Sequence, residues 1–224
     1  HTEFMYAIVP SLFDALEAGK PKPQRQTTEG LALSAKDKLT FVPEETVHSF
    51  TMAMRVKSSS SGVAGVIKTE AGEMNIELPA LIADSKWHTI VMSHYYAAGK
   101  TYLYVDGLNI GSSSEKMLIK AVEIGGTDMA VADLHFWRSA LNADEVAALM
   151  AGKMLCSSLE LYCPLSADNT DNLAQSTNKI VYTKSEPTAT DNLKSDSVPV
   201  KRIEEGKVVI IRNGIRYNVL GAEI

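Results

Sequence analysis

The chain is poor in cysteine, with Cys156 and Cys163 the two thiols among 224 residues. That count excludes a disulfide scaffold and a zinc site of four thiolates. A single bridge is the remaining covalent option, and the spacing speaks against it. Leu159 to Cys163 reads as a strand, and seven steps of extended chain span about 20 Å, whereas a disulfide holds its Cα atoms roughly 4.4 to 6.8 Å apart. Two buried thiols are therefore expected, although a sharp bend at Ser157 and Ser158 would reverse that. Positive charge is also in short supply. With 22 basic and 27 acidic residues the net charge is −5, so no cationic field draws nucleic acid phosphates or an anionic membrane. No apolar run approaches the roughly 18 to 20 residues needed to cross a bilayer, and no signal sequence opens the chain. Neither nucleic acid binding nor membrane insertion is expected. The chain begins at His1 rather than Met, as a mature or trimmed chain would, and an export signal would then lie upstream.

What is present is ordinary globular composition, 45% hydrophobic and 22% charged, enough for one large β domain or a medium domain with an appendage. From residue 46 onward apolar residues alternate with period two, the pattern of strands that bury one face. In Ser49 to Val56, Phe50, Met52, Met54 and Val56 share one side, and Thr51, Ala53 and Arg55 the other. Val63–Ile67, Met74–Leu78, Trp87–Tyr95, Thr101–Val105 and Leu118–Ile124 continue the series between Ser, Gly, Pro and Asp clusters. Asp106-Gly107 suits a two-residue hairpin turn of the primed type. The Ser58–Ser61 and Ser112–Ser114 runs read as flexible turns. One short helix interrupts the strands. Asn142 caps it, Glu145 reaches back to the cap, Gly152 stops it, and Val146, Leu149 and Met150 form its apolar stripe.

After Leu165 the composition turns to Ser, Thr, Asn and Asp, and residues 185–200 read as a linker. Residues 201–224 form a tail in which two apolar runs flank Asn213-Gly214, a terminal hairpin. Five basic and three acidic residues give the tail +2 against −7 for the rest, so electrostatic docking on the body is open to it. An isolated two-stranded hairpin is marginal without something to pack on. The domain plan is a body at 1–184, a linker at 185–200 and a tail at 201–224.

Four blocks carry a family resemblance: Trp87-His88-Thr89-Ile90-Val91, Tyr102-Leu103-Tyr104-Val105-Asp106-Gly107, Ile124-Gly125-Gly126, and the run from Asp133 through Trp137 and Arg138 to Val146. In this order and spacing they resemble laminin G-like, concanavalin A-like jelly-roll domains. Leu31–Leu33 and Leu39–Pro43 resemble the early strand pair of that family, and Leu161, Tyr162, Pro164 and Leu165 its last rung. The likeness covers about residues 30–165, with Phe4–Val9 as a further edge strand. It implies an all-β, antiparallel jelly-roll β-sandwich with one short helix and a C-terminal β-hairpin. On this reading Trp87 anchors the core, Leu134 and Phe136 point inward, and His135 and Trp137 point outward. Gly214, Tyr217, Asn218 and Gly221 more loosely resemble the tails of exported proteins of Gram-negative gut bacteria, which implies an extracellular or envelope location.

Catalytic constellations are missing. Retaining glycosidases of this architecture set carboxylates about 5 to 5.5 Å apart, on a Glu-x-Asp-x-x-Glu run that this sequence lacks. Glu73 and Glu77 lie about 13 Å apart along a strand, and read as solvated. Gly-x-Ser-x-Gly is absent. His48, His88, His94 and His135 have no metal-ligand spacing, and Gly125-Gly126 is a turn rather than a phosphate cradle. No cofactor is expected, although the resemblance makes calcium the one to weigh, through oxygen ligands drawn from Asp106, Asp128 and Asp133, or from Asp168, Asn169 and Asp171. Exposed aromatic faces beside polar groups would bind sugar. The ligand-binding candidates are Tyr95 and Tyr96, one of which must leave the core, and Trp137 with Arg138, unless the helix or the amino-terminal segment covers that indole. The expected function is a non-catalytic, exported binding module for a glycan or a protein surface. A hydrolase lacking its motif and a purely structural module are the alternatives.

Overall fold

The computed structural model describes residues 23–174, 176–185, 200–204, 207–212 and 215–218. The expected strand at Phe4–Val9, the Asn213-Gly214 turn and Gly221 lie outside them. The chain divides into two compact units, His1–Lys184 and Ser185–Ile224.

The first unit is a sandwich of two antiparallel sheets. One contains β1 (Leu31–Leu33), β3 (Phe50–Lys57), β6 (His88–Tyr95), β7 (Lys100–Val105), β8 (Leu108–Ser114), β10 (Met129–Trp137) and β11 (Leu159–Cys163), in the order β1-β10-β3-β6-β7-β8, with β11 also on β10. The other contains β2 (Lys38–Phe41), β4 (Gly62–Thr69), β5 (Glu73–Leu78), β9 (Ile119–Gly125) and β12 (Ile180–Thr183), in the order β12-β2-β9-β4-β5. This is the all-β sandwich that the alternating pattern predicts, in the jelly-roll form that the resemblance implies. The early strands β1 and β2 pair with β10 and β9 respectively rather than with each other. A short strand, β12, closes the second sheet on β2; the polar residues around it give no apolar periodicity to announce it. Ser112–Ser114, expected as a turn, completes the edge strand β8. Ser58 is buried, its hydroxyl proton shared between the Ser60 and Asp128 carbonyls at 2.9 and 3.1 Å.

Between the sheets Phe50, Met52, Met54, Ile90, Leu134 and Phe136 meet Leu39, Phe41, Ile67, Val122 and Ile124. Phe136 packs on Phe41 at 5.1 Å and stacks on Phe50 at 5.8 Å. Burying each such side chain contributes about 1.5 to 3 kcal/mol. Strand β10 changes phase midway, with Met129 and Val131 facing this core and then Leu134 and Phe136. The switch falls at a bulge between Ala132 and His135, where Asp133 has φ of 49°; an inserted residue flips the alternation. Asp133 is thus a mid-strand bulge residue. Two turns match their chemistry. Asp106 and Gly107, at φ 49° and 82°, make the primed hairpin between β7 and β8. Gly125, at φ 148°, brings its Cα so near Asp37 that a Cβ would lie 2.3 Å from that carbonyl oxygen, a position where only glycine fits.

Helix α1 (Ala143–Met150) begins at Asn142, whose side chain accepts from the Asp144 and Glu145 N–H groups while Glu145 accepts from the Asn142 N–H. This is the expected capping box. Val146 and Leu149 are buried and join Trp137, Leu141, Tyr104, Val91 and Ala53 in a second apolar cluster. The central strands of the first sheet are therefore covered on both faces, by the other sheet and by α1, while β8 is exposed.

The second unit is a three-stranded antiparallel sheet of β13 (Val200–Glu204), β14 (Lys207–Arg212) and β15 (Ile215–Tyr217). β14 and β15 are the expected hairpin. β13 is an addition, since three charges among its five residues hide it from an apolar pattern.

Candidate functional site

The outer face of the first sheet carries much polar and aromatic chemistry, and it is closed over around β10 and β11. Trp137 is fully buried and its indole N–H donates to the Leu155 carbonyl at 2.7 Å. It offers a ligand neither a face nor a donor, so its candidacy is corrected: the helix-side cluster covers it. His135 lies stacked between Trp137 and Tyr162, with ring centroids at 5.0 and 4.5 Å. Its Nδ1 donates to the Asp133 carbonyl at 2.8 Å, and burial pushes its pKa down to about 3, so the ring is neutral. Asp133 meets Arg25 and Arg55, each at 3.5 Å. Burial raises this carboxyl above its ordinary range, and the two guanidiniums oppose that rise. The segment from residue 25 to 30 closes over this face: Arg25 donates to the Leu149 carbonyl, the Gln26 N–H to the Tyr162 hydroxyl, and Thr28 to the Pro164 carbonyl. Trp87 belongs here as well. It is half-buried outside the core, under Arg55 at 4.8 Å and against Gly30, which corrects its expected place between the sheets. Its odd position in the alternation of β6 puts it on the side of Thr89, Val91 and Ser93 rather than that of Ile90 and Met92.

Tyr95 and Tyr96 part company. Tyr95 is half-buried beside the helix, its hydroxyl donating to the Leu141 carbonyl at 3.0 Å and its ring edge-on to Tyr102. Tyr96 packs edge-on against His48 at 4.7 Å with the Lys116 ammonium 5.3 Å from its ring centre. Its neighbour His94 is buried: Nε2 accepts from the Met117 N–H, which leaves Nδ1 to donate to Thr101. The two tyrosines thus act at separate places, and neither lies beside Arg138 in a shared pocket.

Among the described residues, Arg138 is the ligand-binding candidate found lining an open cleft. At the end of β10 the chain leaves the sheet, and the Arg138 side chain, 33% exposed, reaches Glu160 at 3.3 Å and Glu45 at 3.5 Å. Glu44, Ser158, Leu159, Glu160 and Ser176 complete a cleft of about 460 Å³. A second depression of similar size, walled by residues 170–173 and 176–180, meets it at Ser176. Glu160 organises the floor. It stands on the outer side of β11, its carboxylate accepts from the Glu44 N–H, from Arg138 and from the Asn178 amide, and 5% of its side chain is exposed. Asn172 ties the wall together by donating to the Glu160 and Asn178 carbonyls. Ser176 and Thr177 donate to the Glu44 carboxylate at 3.3 and 3.1 Å. Both glutamates of the cleft thus spend lone pairs on protein donors, and the pair is a scaffold for hydroxyl, amide and guanidinium groups. No local pattern points to Glu44, Glu160 or Asn178, because the cleft assembles from β11 and loops far apart in the chain.

The acidic residues weighed for calcium do not converge. Asp106 accepts from His88 at 2.7 Å and from the Thr89 N–H at 2.8 Å. Asp128 accepts from the Ala35 N–H, and Asp133 is held by its two arginines. In the other cluster Asp168 accepts from Ser166 and Asn169 from the Asp171 N–H, the bonding of a tight loop. Among the described residues no three His, Cys, Asp or Glu side chains gather as a metal site, and no helix is long and apolar enough to cross a membrane. Cys156 and Cys163 are free thiols.

No protein-family model matches the sequence, and no curated protein matches it. Solved structures do. A candidate carbohydrate-binding protein from Bacteroides ovatus superimposes with a TM-score of 0.54 at 16% identity, over 73% of this chain and 61% of that one. The SAP-like pentraxin of Limulus polyphemus follows with 0.44 at 13% identity, over 72% and 90%. Domains LG4-5 of the mouse laminin alpha1 chain give 0.40 at 13%, over 64% and 49%. The chain thus spans less than two thirds of the Bacteroides ovatus and laminin chains. At these identities the likeness concerns architecture. Two antiparallel sheets in the observed order, capped by one helix after β10, give the body of this chain a laminin G-like, concanavalin A-like jelly-roll fold.

Proposed function

We propose that this chain is a non-catalytic binding module of an exported or envelope protein, and that it recognises a glycan at the Arg138–Glu160 cleft. The cleft itself carries the reading. It is concave and open, lined by the Arg138 guanidinium, Ser158 and Ser176, and the Glu44 and Glu160 carboxylates, with Arg138 held by Glu160 and Ser176 by Glu44. A few oriented polar groups in a concavity are what sugar recognition needs. The carboxylates in it serve the protein's own donors, which favours binding over hydrolysis. The Bacteroides ovatus protein of the same fold is itself a candidate carbohydrate-binding protein, in agreement with this reading. Export is supported by the tail pattern at Gly214, Tyr217, Asn218 and Gly221.

The test is a glycan array probed with the wild-type chain and with Arg138→Ala. Binding that the variant loses supports the proposal; a blank array, or an identical pattern from both proteins, overturns it. A protein-surface partner is the second reading. Val42 and Val181, exposed at the β2–β12 edge of the sandwich, favour it, and a blank array would turn attention there.

A further inference from the structure

We infer that the cleft accepts uncharged glycans and discriminates against uronate, sulfated and sialylated ones, an inference that rests on the glycan reading above. Arg138 would ordinarily be taken as an anion receptor, since its planar fork matches a carboxylate. Here that fork is already faced by Glu160 at 3.3 Å and Glu45 at 3.5 Å. Glu44 adds a third carboxylate to the same wall. Three acids around one base leave a formal charge of −2 on the ionic groups in and around the cleft. In the adjoining depression Asp171 and Lys179 cancel, so no cationic reserve lies next door. An anionic sugar would have to displace Glu45 from Arg138 and would still face two carboxylates; a neutral hydroxyl pays no such cost.

The two charges differ in how solvent screens them. Glu160 is nearly buried, while Glu45 is 82% exposed, so its repulsion falls as salt shortens the Debye length from about 30 Å at 0.01 M to under about 10 Å above 0.1 M. Selectivity should therefore depend on salt and on Glu45, whose exposed side chain can be changed without touching the fold.

The experiment is amide NMR titration of the full chain with a panel of matched oligosaccharide pairs, each a neutral hexose form and its C6-oxidised uronate. At about 0.01 M salt the neutral member shifts resonances around Arg138, Glu160 and Asn178, and the uronate binds there at least about tenfold more weakly. At about 0.3 M salt the gap narrows to within about threefold, and Glu45→Lys narrows it at low salt as well. A uronate that binds the cleft as tightly as its neutral partner, or a gap indifferent to both salt and Glu45→Lys, overturns the inference while leaving the glycan reading standing. Silence at the cleft from every pair overturns both.

Discussion

The Arg138 guanidinium lies 3.3 Å from the Glu160 carboxylate, and the two differ in exposure, 33% against 5%. The pair is therefore asymmetric: the arginine faces the cleft and the glutamate holds the structure. Removing Glu160 strands the Glu44 N–H and the Asn178 amide, and leaves the guanidinium with Glu45 and solvent. Glu160→Ala is expected to lose about 1 to 3 kcal/mol. Arg138→Ala leaves the buried carboxylate two other donors and admits water, so its cost is about 1 to 2 kcal/mol, below the 3 to 5 of a wholly buried pair broken on one side. Urea unfolding of the two variants measures both, and a reversed order would refute the asymmetry.

Two histidines give the fold opposite pH dependences. His88 is clamped between Asp106 at 2.7 Å and Asp84 at 3.0 Å, and those hydrogen bonds, Asp106 first, raise its pKa above the ordinary value near 6.5. Its stabilisation is complete below about pH 6.5 and is lost as pH rises through the elevated value. His135 runs the other way: with a folded pKa of about 3, the unfolded chain takes up a proton first, so stability falls as pH drops below about 6.5. Asp84, lowered to about 2 by the Lys86 N–H and by His88, adds a loss between about pH 4 and pH 2. Thermal midpoints across pH 4 to 9 should show His88→Asn flattening the alkaline limb and His135→Phe the acid limb. Unchanged limbs would mean that neither ring titrates as placed.

Thiol reactivity should separate the cysteines. Cys163 is buried between the sheets, where desolvation pushes its pKa up to about 12, and its Sγ contacts the Thr170 carbonyl. Cys156 sits half-exposed on the loop before β11. A chromogenic disulfide reagent at pH 8 should titrate one thiol in the native protein and two after denaturation. Zero in both states would mean a bridge.

Calcium should leave the sandwich unaffected. Asp106, Asp128 and Asp133 each serve a different protein donor at a different place, and a calcium site needs six or more oxygens in one shell. Thermal midpoints in millimolar calcium and in chelator should coincide; a rise of several degrees with calcium would show that the rim gathers ligands on binding.

Period-two alternation made the sandwich legible: β3, β4, β5, β6, β7 and β9 lie where Phe50, Ile67, Ile76, Ile90, Val105 and Val122 imply. The Asp106-Gly107 turn and the Asn142–Glu145 capping box were readable too, because both are local chemistry. β12 and β13 were not, since short strands in polar company carry no periodicity. The site was harder. Arg138 was within reach as the neighbour of an outward residue. Trp137 does point outward and lies under the helix-side cluster, since alternation tells which face a side chain takes and not what covers it. The resemblance places Trp87 in the core, although its phase with Thr89 and Val91 sets it on the outer face. Glu44, Glu160 and Asn178 meet only through tertiary closure, which leaves no spacing to read.

Whether the Arg138–Glu160 cleft binds sugar without cleaving it decides the role of this module. The most direct measurement is calorimetric titration of the wild-type chain and Arg138→Ala with an array-selected glycan, followed by chromatography of the sugar after prolonged incubation. The expected result is saturable binding by the wild type, a loss of at least about tenfold in the variant, and intact glycan throughout. Cleaved sugar, or equal affinity in the two proteins, would contradict it.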